Sequence, residues 1–458
     1  MTTARQSPAE LAARALAFLD GDGQATVTRE RSLMLRYART APTQATEIDD
    51  TSVHLLAVRN GHVGAATTNV VDDDALRATA RRATDAAAAA ARAAGGPGDH
   101  PGLPQPPTGG YPTHDGWDSA TAEADPAPGG AALREVFAVA HEAGLEAFGT
   151  WTAGGVETAL ASTAGVVAVD RVSDAYLKVV CRDARGRTGW DCQAAVGAEA
   201  LDAGAGARRA AAKVWPEEPA ELPPGEYPVV LDADAVGALL EMLGWLAFNG
   251  LAHAEGRGAL DGRLGTSVAA PAIDLRDEPG HARTWPRAFD LEGVPKRALP
   301  LIAGGIAEHV CHDTRSAARA GDGAVSTGHA LAPGGDPHGV APTNLVLAPG
   351  DAADVDALVA PIERGIYVTR LWYVNVVHPK QTLLTGTTRD GTFLIEDGRI
   401  SRPLRDVRFT DSVLRLLAHT EALGATARLV SEAEYYGRRF AVGTVCPALR
   451  AQGFRVTG

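Results

Sequence analysis

Three stretches of this 458-residue chain combine residue types that could perform metal or acid–base chemistry. The first, "HEAGLE" (His141 to Glu146), begins like a zinc helix. Such a helix sets its second histidine four residues after the first, because one turn plus about 40° then brings both imidazoles to one face. Leu145 stands at that place and Glu146 follows it, so no second imidazole exists and the stretch reads as a solvent-facing helix end. The second, "EHVCHD" (Glu308 to Asp313), is the densest group of ligand types. On a strand His309, Cys311 and Asp313 share one face and His312 takes the other. Adjacent residues do not all converge on one tetrahedral ion, and no fourth ligand is identifiable. Structural strand residues are therefore the expectation, and a metal held by His309, Cys311 and Asp313 is the alternative. The third, "LLEMLGWLAFNG" (Leu239 to Gly250), carries a single carboxylate, Glu241, in an otherwise apolar helix-like run behind the strand-like "YPVVL". A lone carboxylate there is a general base, the remnant of one, or a side chain held by a hydrogen bond or by solvent.

Other chemistries find less support. "APGGDPHG" and "STGHA" are Gly-rich, but neither follows the strand, Gly loop, helix order of a phosphate cradle. No G-x-S-x-G elbow occurs, while a Ser/His/Asp triad stays open because such groups meet in space and not in sequence. The four cysteines, Cys181, Cys192, Cys311 and Cys446, form no C-x-x-C pair and suit buried thiols in a reduced compartment. Net charge is −13 without a basic block, which argues against nucleic-acid binding. Only four of the 43 basic residues are lysine, a bias that resembles the output of a GC-rich genome. No apolar run of about 18 residues is present to span a membrane. The N-terminus lacks the basic start, apolar stretch and cleavage site of a signal peptide, so a cytoplasmic protein is expected.

These residues need elements to position them. The first ninety or so positions read helix, antiparallel strands, helix, with Asn60-Gly61 a hairpin signal and Asp72 to Asp74 favouring a helix start that Gly95 would end. Residues 95–130 are Pro/Gly-rich and predict a loop or mobile connection. A helix over "AALREVFAVAHEAGLEAF", strands over "ETALASTAGVVAVDRVSDAYLKVVCRD" and "TGWDCQAAVG", and a helix near 200–214 follow. "WPEEPAELPPGEYP" reads as a linker. Beyond Tyr227 short apolar strands alternate with Gly/Pro/Asp turns, with one helix expected at 411–422. The predicted class is α+β: an N-terminal α/β domain with a curved antiparallel sheet over 1–222, and a β-rich, antiparallel, barrel-like domain over 223–458.

The second half resembles a known family. In order it reads "DGRLGTSVAAPAIDLRDEP", "FDLEGVPKRALPLIAGGIAEHVCHDTRSA", "STGHA", "APTNLVLAPGD", "RGIYVTRL" and "FLIEDGRISRPLRDVRFTDSVLRLL". This series is similar to the TldD/PmbA family, once labelled modulators of DNA gyrase. Asp290 to Pro295, Ser326-Thr327-Gly328, Pro342-Thr343-Asn344 and Ile395 to Gly398 carry most of the likeness, and the first half fits the family in outline.

The resemblance implies a cytoplasmic metallopeptidase built from two related subunits. The TldD-type subunit holds zinc with an H-E-x-x-x-H helix and a cysteine near its C-terminus. The TldE (PmbA)-type subunit shares the fold, lacks the ligands and completes the dimer around a peptide-sized cavity. Aligned on Glu241 and Gly244, the family's two histidine positions fall on Leu240 and Trp245. The ligand cysteine would fall in "SEAEYYGRRF", which has none, and Cys446 comes too late. On this reading Gly244 preserves a bend and Trp245 fills the space of the ion. The resemblance thus implies a metal-free subunit that pairs with a zinc-bearing TldD-type partner, or with itself when alone, to cleave unfolded or small modified peptides. Thr327, Gly328, His329, Thr343 and Asn344 are the expected peptide contacts, through a strand edge. The rival readings are a self-sufficient metal-dependent hydrolase and a peptide-binding homodimeric scaffold.

Overall fold

Alternating residues build the first sheet. In the computed structural model, which describes residues 6–321, 323–431 and 439–458, six antiparallel strands are ordered β3-β2-β1-β4-β5-β6. They are β1 (Asp22–Ala38), β2 (Ala41–Arg59), β3 (His62–Thr68), β4 (Glu146–Ser162), β5 (Val167–Arg182) and β6 (Thr188–Ala195). Odd-numbered positions such as Val27, Leu33, Tyr37, Trp151 and Ala159 face one side, as the period of two requires. Helices α1 (Pro8–Leu16) and α2 (Asp73–Ala94) cover one end of that face, and α4 (Pro126–Glu142) and α5 (Ala203–Ala212) the other. Short α3 spans Ser119–Ala122. Even positions are polar yet buried: Gln24, Thr26, Glu30, Ser32 and Thr152. Their cover is the second half of the chain.

The punctuation works as expected at several places. Asn60 (φ 49°) and Gly61 (φ 71°) turn β2 into β3 with the paired left-handed conformation that an Asn-Gly hairpin needs. Asp72 caps α2, and Gly95 (φ 67°) ends it. Helix α4 stops earlier than predicted. Gly144 (φ 67°) reverses the chain, the Leu145 N–H bonds back to the Ala140 carbonyl at 2.8 Å, and Glu146 already pairs with Arg182 in the sheet. The Pro/Gly-rich stretch after Gly95 is an irregular loop up to Asp118, and it is fastened to the rest of the molecule. Tyr111 Oη donates to the Gly293 carbonyl (2.9 Å), His114 Nε2 meets Asp170 Oδ1 (2.8 Å), and Trp117 lies against Gly155, where any Cβ would collide with its ring. Helix α4 begins inside the stretch, at Pro126.

The second sheet contains thirteen strands. Its main path joins β10 (Ile306–Ala307), β9 (Leu299–Ala303), β8 (Leu275–Asp277), β11 (Asn344–Leu347), β19 (Gly443–Val456), β7 (Gly225–Leu231), β12 (Arg364–Val368), β15 (Thr392–Glu396) and β16 (Arg399–Pro403). Strands β13 (Leu371–His378), β14 (Leu383–Thr388), β17 (Arg408–Ser412) and β18 (Thr420–Val430) branch from it. The sheet is branched but not closed, so "barrel-like" holds only loosely. It is also mixed: β11 runs parallel to β19, and β12 to β7. Helix α6 (Ala233–Ala247) buries Leu239, Leu240 and Leu243 in the core of this half. Helices α7 (Gly250–Ala254), α8 (Thr314–Ala320) and α9 (Val355–Val359) are short. The helix expected at 411–422 is α10 (Val413–Ala418), trimmed because Asp411 and Ser412 finish β17 and Thr420 opens β18. No helix of the described residues is long and apolar enough to cross a membrane.

Candidate functional site

Asp232 caps α6 through its Oδ1, which accepts the Ala233 N–H at 2.7 Å, and the helix then runs unbroken to Ala247. Leu240 is 1% exposed and belongs to the core, whereas Glu241 and Trp245 lie on the exposed side. Two expectations therefore change. Trp245 is 38% exposed and fills no interior space. Gly244 lies inside that unbroken helix and serves close packing, since a Cβ there would lie 3.1 Å from Pro342 Cγ. Positions 240 and 245 point about 140° apart on such a helix. A hydrocarbon and an indole offer no lone pair to a cation, so this helix does not fit the zinc that the family implies. Most of the segment where the family cysteine would fall, 432–438, lies outside the described residues.

Gly244 joins this helix to the segment expected to contact peptide. Asn344 opens β11, but β11 is no edge: β8 pairs with it on one side and β19 on the other. Asn344 is fully buried. Its Nδ2 donates to Thr284 Oγ1 (3.0 Å) and to the Trp285 carbonyl (2.7 Å), and Thr343 Oγ1 donates to its Oδ1 (2.9 Å). Its backbone N–H donates to Asp277 Oδ1 at 2.6 Å. Asp277 Oδ2 meets Lys296 Nζ at 3.0 Å and His329 Nε2 at 2.9 Å, and all three side chains are buried. Lys296 Nζ also donates to the Gly328 carbonyl (3.3 Å). Gly328 itself (φ 78°) passes so close to the Pro295 carbonyl that a Cβ would sit 2.7 Å from it. Thr327 Oγ1 accepts the His312 N–H (2.7 Å) and lies 2.9 Å from His329 Nδ1.

The five expected residues therefore gather around one buried charge centre. Burial pushes the Asp277 carboxyl up, but Lys296 and His329 outweigh it and hold the group well below the usual carboxylate range. Burial and Lys296 push His329 down, so its imidazole is neutral. Asp277 with Lys296 is then the ion pair, His329 Nε2–H donates to Asp277, and Nδ1 accepts from Thr327. Every group is engaged with another. The centre fixes the backbone of three segments and offers no free nucleophile.

Asp290 and Glu292 form a second buried acidic group in "DLEGVP". Asp290 accepts the backbone N–H groups of Glu292, Val294 and Ala330 at 2.9–3.0 Å. Glu292 Oε2 accepts the N–H and hydroxyl of Thr314 at the start of α8. Its Oε1 is buried with no partner among the described residues. Burial, then the neighbouring Asp290, push Glu292 up to about 8. The proton of the pair belongs on Glu292, because three N–H donors favour the ionised form of Asp290. The native state thus binds a proton that the unfolded chain, titrating near 4.5, releases. Its contribution is complete below the unfolded value and lost as pH rises through about 8. Glu292→Gln is expected to gain up to about 4 kcal/mol on the wild type between about pH 5 and about pH 8.5 in denaturant melts. An equal difference at both pH values would show that Glu292 is ionised throughout.

The alternative metal residues do not gather. His309 is exposed, with Nδ1 3.0 Å from the Pro300 carbonyl. Cys311 is buried and its thiol is pushed well up by burial. Asp313 caps α8, accepting the Ser316 N–H at 2.6 Å. Among the described residues no three His, Cys, Asp or Glu side chains come together as an ion site. His141 sits at the exposed end of α4.

Sequence reasoning passed over Asp277, Lys296 and the charges that join the two halves. Arg439 donates Nε and Nη2 to the two carboxylate oxygens of Asp174 (2.8 and 2.7 Å) and Nη1 to Thr152 Oγ1 (3.0 Å). Its own N–H donates to Glu30 Oε2 (3.0 Å). The even face of the first sheet is therefore polar because it receives this arginine. Gly328, His329, Thr343, Asp290 and Lys296 line a narrow cavity there, of about 40 Å³, together with Thr28, Thr158 and Arg439.

Known proteins share this architecture. A family model described as the PmbA/TldA metallopeptidase C-terminal domain matches residues 224–458, and one described as PmbA/TldA metallopeptidase domain 1 matches residues 25–87. A metalloprotease of Methanothermobacter thermautotrophicus is 27% identical over 238 residues, 52% of this chain and 51% of that protein. A metalloprotease of Synechocystis is 27% identical over 202 residues, 43% of this chain and 42% of that protein. The chain thus spans about half the length of the first of these relatives and less of the second. The crystal structure of TldE from Thermococcus kodakarensis has a TM-score of 0.83, covering 98% of this chain and 99% of that one at 20% identity. A candidate modulator of a DNA gyrase from Thermotoga maritima reaches 0.81, with 98% and 99% coverage at 19% identity. At these identities the two structures speak to the fold.

Proposed function

Because the chain belongs to the PmbA/TldD metallopeptidase family, we propose that it is a TldE-type subunit, which completes a peptidase whose zinc is held by a TldD-type partner. The observation that carries this reading is the pair Leu240 and Trp245, one packed in the core and one exposed, at the positions where ligands would be needed. The likeness to a TldE fold supports it. On this reading the buried Asp277–Lys296–His329 centre works at a distance from the chemistry. It sets the backbone of the Gly328 and Thr343–Asn344 segments, while the exposed side of α6, with Glu241 and Trp245, is presented to the partner or to peptide. The substrate class is an unfolded or small modified peptide held in extended form.

Co-expression with a TldD-type subunit tests this. A complex larger than either chain is expected on gel filtration, with zinc in the complex and none held by this chain alone. Unstructured peptides should be cleaved by the pair and not by either subunit separately, and a chelator should abolish the cleavage. Stoichiometric zinc and hydrolysis in the isolated chain would overturn the assignment in favour of a self-sufficient hydrolase.

A further inference from the structure

A cavity of about 960 Å³ reaches the N-terminal end of α6 at Asp232 and is lined neither by Glu241 and Trp245 nor by the buried ion pair. It opens between β6 with α5 on one side and β12, β15 and β18 on the other. Its volume matches a site for a small organic ligand. One wall is aromatic: Trp215 tilts against Phe393 with ring centroids 5.1 Å apart, and Phe393 stacks on Tyr367 at 6.1 Å. Val196, Leu201 and Leu429 extend the apolar surface.

The charges of the lining can be summed pair by pair. Arg209 is held bidentate by Asp191, with both bonds at 2.9 Å, and Arg428 by Asp234 at 2.6 Å. Those pairs cancel. Lys213 donates to the Trp190 carbonyl and Arg283 to the Ala427 carbonyl, and neither forms an ion pair among the described residues. Asp232 is the one further anion of the lining, engaged by the Ala233 N–H and the Tyr367 hydroxyl. Two cations against one anion leave a single positive charge beside an aromatic wall. Each of the two cations has donors to spare, because a carbonyl takes only one of them.

The geometry points to a binding site for an apolar monocarboxylate, a group with one aromatic or aliphatic body and one negative charge. A dianion such as a phosphate would exceed the charge available, and a neutral ligand would leave Lys213 and Arg283 without a counter-charge. Two sources share this chemistry: a free aryl acid, and the last residue of a peptide that ends in an apolar side chain. The site is independent of the subunit assignment, since it uses none of the residues on which that assignment rests.

Calorimetric titration of the full chain tests it with three ligands: 3-phenylpropanoate, acetyl-Ala-Ala-Phe, and the same peptide as its C-terminal amide. At least one free carboxylate is expected to bind at least about tenfold more tightly than the amide. Saturation by 3-phenylpropanoate assigns the site to free acids, and saturation by acetyl-Ala-Ala-Phe alone assigns it to peptide ends. In the Lys213→Gln/Arg283→Gln variant the acid should fall to the affinity of the amide, while Trp215→Ala should weaken every ligand that binds. Equal binding of acid and amide, or no saturation by either acid up to about 10 mM, overturns the proposal. The acid–amide comparison on the unmodified chain decides this even if a variant fails to fold.

Discussion

Replacing Asp277 by Asn is expected to destabilise the protein by about 3–5 kcal/mol, the cost of breaking a buried ion pair from one side. The shape of the residue is kept, so the loss is electrostatic. Lys296 would remain in a site that is 2% exposed, facing an amide where it had a carboxylate. The Asn344 N–H would lose a charged acceptor, and His329 the partner that fixes its tautomer. The measurement is the denaturant midpoint of Asp277→Asn against wild type. Removing both charges, in Asp277→Asn with Lys296→Met, should recover much of the loss, because a buried pair taken out whole is often nearly neutral. The pH dependence provides a check of sign. Asp277 titrates below its ordinary value of 3.8, so its contribution is present above that value and lost as pH falls toward the depressed one. The wild type should lose stability on acidification below about pH 4, and the double variant should lose less. Equal midpoints for wild type and Asp277→Asn would mean that the centre holds no ion pair.

The second large effect is expected at Arg439. Arg439→Met keeps the bulk of the side chain and removes the donors to Asp174 and Thr152, which cross from one half of the molecule to the other. A loss of about 3–5 kcal/mol is expected, again because a buried carboxylate loses its cation. Its form should differ from that at Asp277. Arg439 belongs to neither hydrophobic core, so each sheet keeps its own packing and the coupling between them weakens. Calorimetry should therefore show a single transition broadening or splitting into two, where Asp277→Asn shifts the transition of the second half. Arg439→Lys keeps the charge without the planar fork and should fall between the two. A uniform shift of one sharp transition in Arg439→Met would mean that the seam is held elsewhere.

Local rules made much of the architecture legible, and long-range charge kept much of the site hidden. The strands of the first sheet follow from strict alternation, and the Asn60-Gly61 turn from its residue pair, whose left-handed φ values match. Helix ends were harder, because tertiary pairing claimed residues that propensity allowed to stay helical. Glu146 joins Arg182 across the sheet, and Asp411 and Thr420 belong to strands. The Pro/Gly-rich stretch after Gly95 forms the expected loop, and the contacts that hold it were hidden for a related reason. Composition says that it forms no regular element, but Tyr111, His114 and Trp117 fasten it to distant partners that no local window contains. The family series pointed to Gly328, His329, Thr343 and Asn344 without saying what they do. Asp277 binds His329, 52 residues away, and Asn344, 67 residues away, while Gly328 and Thr343 reach it through Lys296 and Asn344, and no spacing rule connects them.

The unbroken run of α6 from Ala233 to Ala247 bears on the history of such chains. An ion gripped from positions 240 and 245 requires the backbone to coil differently there, since the two side chains of an even helix diverge. Restoring donors at both places would leave one imprisoned in the hydrocarbon interior and the other in water. Re-acquiring an ion would thus demand a change of backbone as well as of residues. Each aliphatic contact that Leu240 makes in the core deepens that barrier.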